Sequence, residues 1–306
     1  MIIVSIALFL GGIILLINRR ARNVSVMLDF NKSIQLVGAL KNLLVQIQKH
    51  RGLTTAYLDG GEEEFIPAIR DKRSLADKIW VSLVSDNPSL IEDSLYLGIK
   101  DHWERLKKRW PNRSVDNNIE QHNRLILNLM RLIESQEEDN ILFVELLREQ
   151  GLDLSWKALL ETIEMLGQIR AIGTGIVSSG KSKVLERNKM MFLVERVDGQ
   201  LNKISDSFEQ SSMVNNSDEI RHYLILSTKK SNMLCALIVE KFEKPRIQDL
   251  SANQFFDLAS TAIESLSSLF DCVILALQRE ALLCNSWSIY PCKITQLKPS
   301  DIFNSG

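Results

Sequence analysis

Leu36-Val37-Gly38-Ala39-Leu40-Lys41-Asn42-Leu43-Leu44-Val45-Gln46-Ile47-Gln48-Lys49-His50-Arg51-Gly52-Leu53-Thr54-Thr55-Ala56-Tyr57-Leu58-Asp59-Gly60-Gly61 is the stretch from which the fold can be read. Leu36, Val37, Leu40, Leu43, Leu44, Ile47 and Leu53 recur at intervals of three and four, the spacing that lines one face of an α-helix. The spacing predicts a helix from about Met27 to Leu58, ended by Gly60-Gly61. A second stretch, Gly167-Gln168-Ile169-Arg170-Ala171-Ile172-Gly173-Thr174-Gly175-Ile176-Val177-Ser178-Ser179-Gly180, repeats the end of the first. With Arg51 set on Arg170, each has an aliphatic residue at +2, a threonine at +4, apolar residues at +6 and +7 and a glycine at +10. A guanidinium inside an apolar helix is costly, because a desolvated charge needs a partner. Two such arginines, one in each half of the chain, suggest a small anion as the shared partner, with an internal carboxylate as the alternative for each.

The same helical spacing runs along most of the 306 residues. Segments are expected over about 62–84, 89–110, 117–133, 139–149, 154–177, 183–208, 216–242 and 251–284. Asp86-Asn87-Pro88, Pro111, Gly151 and Lys244-Pro245 punctuate them, and the pairs Asn117 with Glu120 and Asn216 with Glu219 look like capping pairs. No strand-like alternation exceeds a few residues. The content of 14 Gly and 6 Pro is low for this length and favours helices over a turn-rich β architecture. Long helices joined by short loops pack as up-and-down bundles. The expected fold is therefore all-α, two four-helix bundles, with residues 23–150 and 151–286 as the halves and 287–306 as an irregular tail.

Ile2 to Ile17 is uncharged and almost wholly apolar, and Asn18-Arg19-Arg20-Ala21-Arg22 follows at once. A membrane span needs roughly 17–25 residues. A cleavable signal would open with basic residues and close on small ones, and this segment has neither. Residues 1–18 read as a single transmembrane helix. The positive-inside rule puts Arg19, Arg20 and Arg22 in the cytoplasm. That makes the protein a single-pass one of the inner (cytoplasmic) membrane with its main body cytoplasmic; a periplasmic body is the alternative.

Composition narrows the function. A net charge of -1 gives no global basic field for nucleic acid, and no DNA-reading signature occurs. Cys235, Cys272, Cys284 and Cys292 form no Cys-x-x-Cys and read as free thiols rather than zinc ligands. Ser179-Gly180-Lys181-Ser182 lacks the upstream glycine and preceding strand of a phosphate loop. No triad, metal or cofactor context surrounds the histidines. The chain reads as a non-enzyme without a cofactor.

Gln46-Ile47-Gln48-Lys49-His50-Arg51-Gly52-Leu53-Thr54-Thr55-Ala56-Tyr57-Leu58 resembles the first signature helix of nitrate- and nitrite-sensing (NIT) domains. Leu166-Gly167-Gln168-Ile169-Arg170-Ala171-Ile172-Gly173 is similar to the second signature, and Asn253 to Leu269 to the closing helix. The resemblance covers about residues 30–285 and rests on the order and spacing of the motifs. It implies an all-α sensor of two four-helix bundles that binds nitrate or nitrite between them through arginines. Two departures stand out: His50 occupies the place where the family commonly has Glu, and Lys229 and Lys230 stand where it uses a later basic residue.

The candidate ligand residues are Arg51, Arg170, His50, Gln48 and Lys230. Nitrate is planar and spreads one charge over three oxygens, and a guanidinium fork matches two of them in plane. One arginine from each half would clamp the ion, giving a two-state element that ligand biases. No output module is recognisable, so the signal is expected to pass to an unidentified output protein or through a homodimer. The rival expectations are a non-sensing helical scaffold at the membrane, with structural arginines, and a periplasmic sensor of a different small anion.

Overall fold

The computed structural model describes residues 2–61, 63–242 and 249–286, the side chains of residues 2–17, 19 and 284–286 aside. The expected tail at 287–306, the Lys244-Pro245 break and the thiols of Cys284 and Cys292 lie outside the described residues. The fold is all-α: every regular element among the described residues is a helix. In chain order these are α1 (Ile2–Gly60), α2 (Phe65–Asp86), α3 (Ser94–Arg109), α4 (Val115–Glu138), α5 (Ile141–Glu149), α6 (Asp153–Ser179), α7 (Val184–Gln210), α8 (Ser212–Asn215), α9 (Asp218–Phe242) and α10 (Ala252–Ser286). One set, α1 to α4, packs side by side, and a second is formed by α6, α7, α9 and α10; α1 lies along both α6 and α10 and joins the two.

Local chemistry sets the boundaries. The segment expected from Ser89 splits, because Pro88–Glu92 forms a 3-10 turn and Asp93 then caps α3, accepting from the backbone N–H groups of Leu95 at 2.7 Å and Tyr96 at 3.1 Å. Ser114, not Asn117, caps α4, accepting from Asn117 N–H at 3.3 Å. Ser217 does the same for α9, from Ile220 N–H at 3.3 Å. Gly61, Gly151 and Gly180 follow α1, α5 and α6 with φ of 69°, 67° and 66°, a left-handed turn that glycine adopts without a Cβ clash.

Two helices differ from the amphipathic rest. α6 is buried nearly all round from Trp156 to Ile176, the mark of a central helix. α1 runs unbroken for 59 residues, roughly 90 Å at 1.5 Å per residue, so the apolar Ile2–Ile17 stretch and the bundle helix are one rod. Among the described residues, Ala252–Leu283 is long and apolar enough to cross a membrane, but 61% of its apolar window is buried inside the protein. Phe255, Ile263, Leu266, Leu269 and Phe270 direct that apolarity into the core.

Close helix approach is visible at Gly173, where an added Cβ would lie 2.2 Å from the fully buried ring of Phe255 on α10. Gly98, on the exposed side of α3, has nothing within 4 Å of the same position. Gly173→Ala is therefore expected to destabilise by about 1–3 kcal/mol through overpacking. Gly98→Ala is expected to stabilise by up to about 1 kcal/mol through helix propensity alone. Urea unfolding of the two variants against the parent reads both signs.

Candidate functional site

α1 and α6 lie side by side in the same direction, which brings the two arginine motifs abreast. The glycines show how close they are. A Cβ on Gly167 would fall 2.8 Å from Arg51 Nη2 and 3.1 Å from the Gln48 amide carbon. A Cβ on Gly52 would fall 3.5 Å from Arg170 Nε and 3.1 Å from the Phe256 ring. Each motif's glycine thus makes room for the other motif's arginine, and both arginines are fully buried.

Their surroundings differ. Arg51 meets Glu164 in a two-pronged ion pair, Nη1 to Oε1 at 2.6 Å and Nη2 to Oε2 at 3.2 Å. Nη1 also donates to Asn123 Oδ1 at 2.6 Å. Gln48 Nε2 donates to Glu164 Oε2 at 2.7 Å, and Gln168 Nε2 to Oε1 at 3.0 Å, so the carboxylate is held by donors from α1 and α6. Among the described residues, no carboxylate hydrogen-bonds to Arg170. Its Nη1 donates to Ser260 Oγ at 2.9 Å, and its guanidinium carbon lies 4.9 Å from the Phe256 ring centroid, both on α10. Nε and Nη2 of Arg170 and Nε of Arg51 are buried with no hydrogen-bond partner among the described residues. Burial first, and then the charge of Arg51, lower the Arg170 pKa to about 9.

Three unengaged N–H groups on two neighbouring guanidinium ions are what a small oxyanion accepts. The open Nε and Nη2 atoms of Arg170 form one edge of the planar fork, the geometry that meets two oxygens at once. The motif threonines do not compete as donors: Thr55 and Thr174 give their hydroxyl protons to the carbonyls of Arg51 and Arg170, at 2.7 and 2.6 Å. Two cavities open beside the partners of Arg51 and share Asn123 and Glu120; neither arginine lines them. One, of about 460 Å³, reaches Glu164 and Gln168; the other, of about 330 Å³, runs past Thr55, Ile172 and Lys189.

The remaining sequence candidates divide. Gln48 belongs to the junction, through Glu164. His50 does not; the structure directs its ring away from the Arg51–Glu164 pair. One residue along a helix turns a side chain by about 100°, and His50 faces the first bundle. There its ring packs edge-on to Trp103 and Trp110, with centroids at 5.2 and 6.1 Å. His122 Nδ1 donates to the Asn118 carbonyl at 2.8 Å, so its Nε2 accepts from His50 Nδ1 at 2.9 Å, and His50 Nε2 is left without a partner. Lys230 lies part-buried on α9, which packs on α7 and α10, and no described contact joins it to either arginine. Sequence reasoning missed Glu164, Asn123, Ser260 and Phe256. Ser260 and Phe256 lie within the Asn253–Leu269 stretch that resembles the closing helix, and Glu164 was visible as an acid within the apolar run Leu159–Ile172, but none of them was assigned to the site.

No protein-family model and no curated protein matches the chain in sequence. Its structure is similar to that of the NasR transcription antiterminator, with a TM-score of 0.65 over 91% of this chain and 76% of that one, at 16% identity. The likeness is one of fold.

The histidine pair makes a pH prediction. Burial, and then the positive charge of Arg73, push the His50 pKa down to about 3, and burial together with His50 pushes His122 down as well. Both are neutral in the folded state and take up protons near pH 6.5 once unfolded. Their stabilising contribution is therefore complete above about pH 6.5 and is lost as pH falls toward the folded pKa values. Unfolding midpoints between pH 7.5 and 4.5 should fall steeply for the parent, and less steeply for His50→Phe.

Proposed function

We propose that this chain is a membrane-anchored sensor that binds nitrate or nitrite between its two bundles, through Arg170 and Arg51, and passes the signal to a separate partner. The observation that carries this reading is the buried Arg170 guanidinium, with two unpaired N–H atoms beside a second arginine. A desolvated cation without a counter-ion is unfavourable, and a planar monoanion supplies the missing acceptor. The resemblance of the Arg51 and Arg170 motifs to the signatures of nitrate- and nitrite-sensing domains supports the choice of ion. Similarity in fold to the NasR transcription antiterminator supports a regulatory role. In this reading the chain is a binding protein, not an enzyme, and its partner is the output protein or a second copy of itself.

One observation favours the rival scaffold for half of the site: Arg51 already has Glu164. The two readings separate on Arg170. For the full chain in detergent, millimolar nitrate or nitrite should raise the melting temperature and chloride should not. Ligand at a hundredfold excess over Kd adds about 2.7 kcal/mol, a rise of several degrees. Arg170→Ala should abolish the response. A scaffold would show no preference among anions, and Arg170→Ala would leave its anion response unchanged.

The membrane part of the reading rests on Ile2–Ile17 and the arginines that follow. The proposed site is single-pass in the inner membrane, with the body cytoplasmic. A C-terminal green fluorescent protein fusion should be fluorescent and a C-terminal alkaline phosphatase fusion inactive; the opposite pair of results would place the body in the periplasm.

A further inference from the structure

We infer that Glu164 is a specificity-determining residue: it sets the site to a net charge of one positive unit, so that the pocket selects monovalent over divalent oxyanions. The inference rests on the anion reading above and adds to it which ligands are refused.

The buried charges at the junction are few. Arg51 and Arg170 are fully buried, and the Glu164 side chain is 11% exposed. Two guanidinium ions and one carboxylate leave one uncompensated positive charge, and it lies on the Arg170 side, where the unpaired N–H atoms are. Glu264 acts on Arg170 more strongly than Glu164 does, but it is not one of the buried charges. Glu264, on α10, is paired with Lys49 at 2.8 Å and is more than half exposed. Lys189 and Asp116 line the outer 330 Å³ cavity, and at the surface such charges are screened. A monoanion seated on Arg170 brings the interior to neutrality. A dianion leaves a net negative charge in a desolvated place, which is strongly unfavourable.

Glu164 is also held in place from both helices. It accepts from Arg51 at both oxygens and from the amides of Gln48 and Gln168. Four donors on one carboxylate hold it as a fixed part of the site, whereas none of them touches Arg170. Its role is to position Arg51 and to subtract one charge, not to touch the ligand.

The test needs anions that differ in charge and not in shape. Perchlorate and sulfate are both tetrahedral, with one and two negative charges. Calorimetric titration of the full chain in detergent, at constant ionic strength, would measure nitrate, perchlorate and sulfate, with Arg170→Ala as the blank for general salt effects. In the parent, nitrate and perchlorate should bind and sulfate should not. Glu164→Gln raises the charge sum to two and should improve sulfate relative to perchlorate by at least about tenfold. Asn123→Asp tests the same idea in the opposite direction, because its oxygen already accepts from Arg51 at 2.6 Å, and urea unfolding checks that the variant is folded. It brings the sum to zero and should weaken nitrate by at least about tenfold. Nitrate binding in the parent with unaltered affinity in Asn123→Asp, or with sulfate refused as before in a folded Glu164→Gln, would overturn the role of Glu164 and leave the sensor reading standing. No binding of any anion to the parent would overturn both.

Discussion

Two arginines forced side by side in a dry interior are the constraint around which this molecule is built. Like charges at that distance repel, and the interior screens them poorly. The protein compensates one of them completely, with the Arg51–Glu164 pair and its flanking amides, and leaves the other with a serine, an aromatic face and two unpaired N–H groups. The asymmetry is informative. A purely structural pair of arginines would be expected to carry a carboxylate each, because a lone buried charge lowers stability without any return in packing. Here the sequence pattern is repeated but the counter-charge is not.

The backbone had to be adapted to bring the charges so close. α1 and α6 run parallel, with Gly52 and Gly167 set against the opposing arginine, and Gly60 against Ser178. Glycine weakens a helix by about 1 kcal/mol per position, and here the loss is offset by side chains that would otherwise have no room. α10 closes the junction from a third side, offering Ser260 and Phe256 to Arg170 and, through Lys41 and Asp271, a further ion pair to α1 at 2.8 Å. The unbroken course of α1 offers a path from that junction to the apolar Ile2–Ile17 segment without any intervening loop.

Much of the architecture was legible in the chain because helical burial has a period. The three-and-four spacing of Leu36, Val37, Leu40, Leu43, Leu44 and Ile47 reports a buried face wherever the helix packs, and all six are buried. Boundaries were less legible. Several polar residues near Ser89, Asn117 and Asn216 are equally good caps in isolation, and only the path of the chain selects Asp93, Ser114 and Ser217. That α1 continues without interruption across Asn18–Arg22 was not legible either, since a basic cluster is compatible with both a break and a rod.

By itself the sequence determined the helices, the repeated motif and the presence of two arginines that needed partners, because these follow from residue type and spacing along a single helix. Tertiary structure alone decided who the partners are. Glu164 reaches Arg51 across 113 positions of chain, and Ser260 reaches Arg170 across 90. His50, adjacent to Arg51 in sequence, is turned toward Trp103 and His122 and away from α6 by a single step of helical rotation. Electrostatic compensation depends on separation in space, and a linear chain encodes that only through the packing of whole helices.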